Sequence, residues 1–139
     1  MTRLRVPVEE FTTPNPVTAN DGDYLEDLQH LMQQNTIRHL PILHDGQVVG
    51  IVSDRDLRVA SGLTFHEREQ VRAADIMTPN PITVSAGDSL ERVAFVMSEH
   101  KVGSVLVNDE SESLFGIFTV TDALNALIEI IRESHGDAD

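Results

Sequence analysis

Thr13-Pro14-Asn15-Pro16-Val17-Thr18 recurs as Thr78-Pro79-Asn80-Pro81-Ile82-Thr83, 65 residues further on. The same offset aligns Gly22-Asp23 with Gly87-Asp88, Leu25-Glu26 with Leu90-Glu91, and Met32 with Met97. After one inserted residue, Gly50-Ile51-Val52-Ser53 aligns with Gly116-Ile117-Phe118-Thr119, and Asp56 with Asp122. Self-similarity at a fixed spacing marks a chain built from copies of one supersecondary unit.

Each copy reads as β-α-β-β-α. Proline disfavours helix at the residue before it, so Thr-Pro-Asn-Pro is extended and turn-rich. A short strand is expected at Val17-Thr18 and at Ile82-Thr83. Helix starts are expected at Asn20-Asp21-Gly22-Asp23 and Ser85-Ala86-Gly87-Asp88, both rich in capping residues. Leu25, Leu28, Leu31 and Met32 then share one helical face, as do Leu90, Val93, Val96 and Met97. A hairpin joins Leu40–Leu43 to Val48–Val52 across Asp45-Gly46, a strong turn pair. Its counterpart joins Val105–Val107 to Leu114–Phe118 across the polar run from Asn108 to Ser113. A helix follows each hairpin, from Asp54 to about Ala60 and from Val120 to about Glu133. The fold class is therefore α/β (α+β). A unit this small buries little surface alone, so the two pseudo-symmetric repeats are expected to pack sheet to sheet. The expected boundaries are residues 1–62 and 73–139, with a linker at 63–72.

The composition narrows the functional classes. In 139 residues, 23 acids face 10 bases, a net charge of −13. That balance argues against nucleic acid or an anionic membrane as partner, because both need a basic face. Cysteine is absent, which excludes disulfides, thiolate nucleophiles and Cys-ligated metals and fits a reducing compartment. The charged start, Met1 to Pro7, leads into no apolar run of a signal peptide. The most apolar stretch, Ala123 to Ile131, is too short and too polar to span a bilayer. A soluble, cytoplasmic protein is expected.

Catalysis finds little support. The six histidines show no H-E-x-x-H and no i, i+4 pairing, so no metal site is expected. The only lysine is Lys101, and no Walker A loop occurs. Neither Ser53 nor Ser104 sits in a Gly-x-Ser-x-Gly turn. No enzyme is expected.

The repeated Gly-φ-φ-Ser/Thr-x-x-Asp pattern (φ apolar) admits two readings. In one, Ser53 and Thr119 are helix N-caps, and Asp56 and Asp122 complete capping boxes. In the other, the helix start and hydroxyl receive a phosphate, while the carboxylate accepts both hydroxyls of a ribose. Glycine at the strand lets another group approach closely. Capping alone demands no glycine and would accept Glu as readily, which favours the second reading.

These motifs are those of a known family. The chain resembles, from about Val6 to Leu127, a tandem pair of CBS (cystathionine β-synthase) domains, the Bateman module. The resemblance rests on Thr-Pro-Asn-Pro, on Ile37-Arg38-His39-Leu40-Pro41-Ile42-Leu43, on Ala74-Asp75-Ile76-Met77-Thr78, and on the paired Gly-φ-φ-Ser/Thr-x-x-Asp motifs. It implies two clefts for adenosine-containing ligands: AMP, ADP, ATP, S-adenosylmethionine or NAD. It also implies a homodimer and regulation of an effector protein in trans, with no obligatory cofactor. By resemblance, Asp56 and Asp122 hold ribose hydroxyls, and Ser53 and Thr119 contact phosphate or ribose. Val17-Thr18 and Ile82-Thr83 meet the base. Ile37, Arg38, His39 and Pro41 line one wall; Val102, Gly103 and Ser104 line its counterpart.

The copies differ in charge. The first gathers Arg38, His39, Arg55 and Arg58, where the second has Gly103-Ser104 and Val120-Thr121. Guanidinium groups bind phosphate bidentately, so the first cleft is expected to take a phosphorylated nucleotide. The second would take a less charged adenosyl compound or stay empty. The competing view is a structural dimerisation module with vestigial clefts. The broad apolar face of the last helix, Ala123 to Ile131, exceeds what one small sheet must cover, and part of it reads as an oligomer interface. The tail Gly136-Asp137-Ala138-Asp139 is expected to fray.

Overall fold

The computed structural model describes residues 5–135. The expectation for the tail after 135 lies outside the described residues. In chain order the elements are a 3₁₀ turn at Val8–Phe11, β1 (Thr13–Pro14), β2 (Ala19–Asn20), α1 (Leu25–Asn35), β3 (His39–His44), β4 (Gln47–Ser53) and α2 (Asp54–Ala60). They continue with α3 (Phe65–Arg68), α4 (Ala73–Ile76), β5 (Thr78–Pro79), β6 (Thr83–Ser85), α5 (Leu90–His100), β7 (Ser104–Asn108), β8 (Leu114–Thr119) and α6 (Val120–His135). The fold is mixed α/β, with the same element order in both repeats.

The chain forms two compact units that cut across its repeats. Residues 16–81 make a continuous unit. The described residues before 16 join those after 81 in a split unit. The continuous unit holds a sheet ordered β2-β3-β4-β5, and the split unit one ordered β1-β8-β7-β6. Both sheets hold one parallel pairing beside the central hairpin: β2 runs parallel to β3, β6 parallel to β7, and the hairpins are antiparallel. The edge strands β5 and β1 each come from the Thr-Pro-Asn-Pro motif, as Thr78-Pro79 on β4 and Thr13-Pro14 on β8. Asn15 and Asn80 follow at φ 50°, the left-handed turn after which the chain changes unit. Asparagine tolerates that region better than most side chains.

Amphipathic periodicity sets the cores. Leu25, Leu28 and Met32 of α1 meet Leu40, Ile42, Val52 and Leu57 in the continuous unit. Val93 and Met97 of α5 meet Val105, Val107, Phe118 and the distant Val8 in the split unit. Asp45 and Gly46, both with positive φ, turn the first hairpin as its sequence requires.

Two local expectations need correction. The strands after the prolines begin later, at Ala19 and Thr83, leaving Val17-Thr18 and Ile82 ahead of them. The helices also begin later, with Tyr24 and Ser89 at the N-cap. The polar quartets before them are closed turns instead. The Asp23 carboxylate accepts from Asn20 N–H at 2.9 Å, and that of Asp88 from Ser85 N–H at 3.0 Å. Within 63–72 the chain carries a helical turn, α3, capped reciprocally by Thr64 and Glu67.

Candidate functional site

In the continuous unit the β3–β4 register sets His39 opposite Ser53. The Asp54 N–H then donates to the Arg38 carbonyl at 2.8 Å, so residues 38–39 lie beside the start of α2. Ser53 N–H donates to Asp56 Oδ2 at 2.8 Å, and Asp56 N–H donates to Ser53 Oγ at 3.2 Å. This is the reciprocal capping box of a helix start. Both side chains are half-buried. Among the described residues, the second Asp56 oxygen accepts no hydrogen bond within the chain.

The split unit repeats the arrangement. Ser104 stands opposite Thr119, and Val120 N–H donates to the Gly103 carbonyl at 3.1 Å. Thr119 N–H donates to Asp122 Oδ2 at 2.8 Å, and Asp122 N–H donates to Thr119 Oγ1 at 3.2 Å. One bond is new: the Thr119 hydroxyl also donates to Asp122 Oδ2, at 3.0 Å. Its proton is therefore already used, whereas among the described residues the Ser53 hydroxyl proton has no acceptor in the chain.

The remaining expected residues divide between surface and core. Val17 and Ile37 are half-buried against the core of the continuous unit, with Thr18 half-buried beside them. Pro41, opposite Ile51, is fully buried. Ile82 and Val102 pack on the core of the split unit. The Ile82 carbonyl accepts from Leu106 N–H at 2.9 Å, and Thr83 pairs with Leu106.

The arginines do not gather around Asp56. Arg58 pairs with Asp54 at 3.6 Å, one turn away on α2. Arg38, Asp54 and Arg58 instead line an open groove of about 420 Å³ between α1 and α2, floored by Met32, Ile37 and Leu57. Asp56 and Ser53 are not among its lining residues. Arg55 is exposed. The sequence grouped these arginines by proximity, but helical geometry sends positions 54 and 58 to one face and 56 to another.

The glycines have a packing explanation. A Cβ on Gly50 would collide with the Met77 side chain and come within 2.9 Å of the Thr78 carbonyl oxygen. A Cβ on Gly116 would collide with the Thr13 carbonyl oxygen and come within 2.7 Å of Thr12 Cγ2. The group that approaches each glycine is the edge strand, β5 or β1. The glycines thus carry no argument for a ligand.

One contact had no signal in the sequence. Arg72 stacks over the Tyr24 ring at 4.6 Å, donates to Tyr24 Oη at 2.7 Å and to the Gly22 carbonyl at 3.2 Å. It clamps the stretch after α3 to the start of α1 across 48 residues. Among the described residues no cluster of three or more His, Cys, Asp or Glu could hold a metal ion, and no helix is long and apolar enough to cross a membrane.

Comparison with known proteins follows this geometry. The family model for the CBS domain matches twice, at residues 8–62 and 73–129. Protein MJ1225 of Methanocaldococcus jannaschii is 29% identical over 127 residues, covering 84% of this chain and 45% of its own length. An inosine-5'-monophosphate dehydrogenase of Korarchaeum cryptofilum is 31% identical, covering 91% of this chain but 24% of its own length. The chain thus spans less than half of either relative. Among solved structures, CBSX2 in complex with AMP is similar at a TM-score of 0.76 and 29% identity, covering 91% of this chain and 98% of its own. The CBS domain pair of protein MJ0100, in complex with 5'-methylthioadenosine and S-adenosyl-L-methionine, has a TM-score of 0.78 and 26% identity, covering 88% and 96%. With both repeats matched and the paired hydroxyl–carboxylate units in place, the chain belongs to the CBS domain family.

Proposed function

We propose that this chain is a non-catalytic regulatory module that binds adenosine-containing metabolites. The observation that carries the proposal is the duplicated hydroxyl–carboxylate pair. Among the described residues, Ser53–Asp56 and Thr119–Asp122 each present one carboxylate oxygen without a donor, beside a hydroxyl at a helix start. An ionised carboxylate is acceptor-only, and a ribose diol supplies two donors. The similar structures that carry AMP, or 5'-methylthioadenosine with S-adenosylmethionine, support this class of ligand. ADP, ATP and NAD share the same ribose and belong in the same test. Arg55, next to Asp56 on α2, favours a phosphorylated nucleotide in the continuous unit; Thr121, at the matching position, favours a less charged adenosyl compound in the split unit.

In this reading the module acts in the cytoplasm as a homodimer, and a partner protein senses the bound state. The coupling is limited to the ligand's differential affinity for the two states. The net charge of −13 does not suit nucleic acid or an anionic membrane as partner.

Calorimetric titration of ligand-stripped protein with AMP, ADP, ATP, S-adenosylmethionine and NAD tests the proposal. Asp56→Asn and Asp122→Asn preserve an acceptor for the helix cap while removing the charge. A hydrogen bond to a charged group is worth about 1.5–3 kcal/mol, so one of these variants should weaken its ligand roughly 10- to 100-fold. A second reading, a structural dimerisation module, is favoured by the two capping boxes and by the glycines' packing role. No binding across the panel by folded protein would select it.

A further inference from the structure

Helix α3 is ordered yet buries none of its residues. Polar bonds fix it. Thr64 N–H donates to Glu67 Oε1 at 2.9 Å, and Glu67 N–H to Thr64 Oγ1 at 3.2 Å. The turn before it is closed by Gly62 N–H on the Val59 carbonyl at 3.2 Å and Leu63 N–H on the Ala60 carbonyl at 3.1 Å. Beyond it, Arg72 is clamped to Tyr24 and Gly22. The segment is thus held at both ends, while Val59, Phe65 and Leu63 stay 75%, 69% and 38% exposed. Apolar surface rimmed by polar residues marks an interaction site. A segment already fixed loses little conformational entropy when a partner binds it.

This face is distinct from the groove between α1 and α2. Asp54, Leu57, Arg58 and Ser61 line that groove. At about 100° per residue, Val59 turns away from it, on the exposed side of α2 that also carries Arg55. Asp56 lies three residues before Val59. Helix α2 therefore carries the ligand-binding carboxylate near its start and the exposed apolar face at its end.

Charge identifies the occupant. The whole chain has 23 acids and 10 bases, but between positions 55 and 72 four arginines face three acids. Two of those acids, Asp56 and Glu67, already accept backbone N–H groups in helix caps. The balance is locally reversed, so an acidic segment meets no repulsion here, and charge complementarity of this kind selects partners.

We propose that the face formed by Val59, Leu63 and Phe65, with Arg68 at its edge, docks an acidic segment of the partner protein that carries apolar anchors. The inference rests on the reading that a partner protein senses the bound state, and it adds the docking face and the partner's chemistry.

Random peptides displayed on phage, selected on ligand-stripped protein, test it; working without nucleotide keeps the outcome separate from the ligand titration. Selected peptides should be rich in Asp and Glu beside Leu, Phe or Trp. Resynthesised with a fluorescent label, they should bind the Val59→Ser, Phe65→Ser double variant at least about tenfold more weakly, as loss of an anchor does. Both side chains are exposed, so the circular dichroism spectrum should be unchanged. Arg68→Glu should weaken binding about threefold or more, and Arg92→Glu, on α5 of the split unit, should leave it within about twofold. Selected peptides that are basic, or that bind the double variant as tightly as the parent protein, overturn the proposal. If light scattering shows that the double variant loses self-association, the occupant is a second copy, which also overturns it. So does co-sedimentation with phosphatidylserine vesicles that the double variant loses. Peptide docking in a protein that binds no adenosyl ligand would sink the ligand reading and leave this face standing.

Discussion

Gly50 and Gly116 illustrate how one residue can be noticed in a sequence for one reason and kept for another. Their recurrence beside Ser53 and Thr119 suggested room for a ligand; the structure fills that room with Thr78 and Thr13 of the edge strands. Backbone cannot give way as a flexible side chain can, and overpacking a tight site costs about 1–3 kcal/mol. Gly116→Ala, which meets the Thr13 backbone, should cost at least that much. Gly50→Ala should cost less, because the thioether of Met77 can move aside first. Urea denaturation of both variants checks the order, and equal losses below about 0.5 kcal/mol would refute the packing account. The Ser53–Asp56 and Thr119–Asp122 pairs were legible, since a capping box is a local pattern that three-residue spacing reveals. The course of the Arg38 side chain was not, because it depends on which way α1 and α2 open beside it.

Elements whose partners lie close in sequence were readable, and those with distant partners were not. The β3–β4 hairpin follows from Asp45-Gly46, and α1 and α5 from apolar residues three or four apart. Strands β1 and β5 are two residues long and find their partners far away, Pro14 opposite Gly116 and Pro79 opposite Gly50. Two residues show no period, so nothing in the chain itself declares them strands. Helix α3 was hidden within an apparent linker, although Thr64 and Glu67 spell its capping box. Backbone and hydroxyl donors of Thr64 hold the Glu67 carboxyl below its ordinary 4.5. A carboxyl lowered by folding stabilises above its unfolded pKa and loses that contribution as pH falls through the folded value. The Thr64 amide resonance, which bonds Glu67 Oε1 at 2.9 Å, should therefore titrate with a midpoint below 4.5. Glu67→Gln should abolish that titration, and a midpoint at or above 4.5 would contradict the cap.

At the scale of the molecule, two repeats in sequence become two different units in space. The apolar pattern showed the repeats, but not that the turn at Val8–Phe11 belongs with residues 82–135, where Val8 is fully buried. A fragment of residues 16–81 should accordingly unfold cooperatively in urea. A fragment of residues 1–62 should not, because it lacks β5 and the fully buried Ala73. Two equally cooperative fragments would show that β5 and α4 are dispensable. The chain crosses between units at only two places, beside Asn15 and Asn80. The continuous unit is thus an insertion within the split one, and both flanks of the chain are anchored in the split unit. Tension applied along the chain would run through β1, held to β8 by Thr13 and Pro14, and bypass residues 16–81 until that edge tore. The inserted unit is mechanically shielded, and under an optical trap the split unit should yield first.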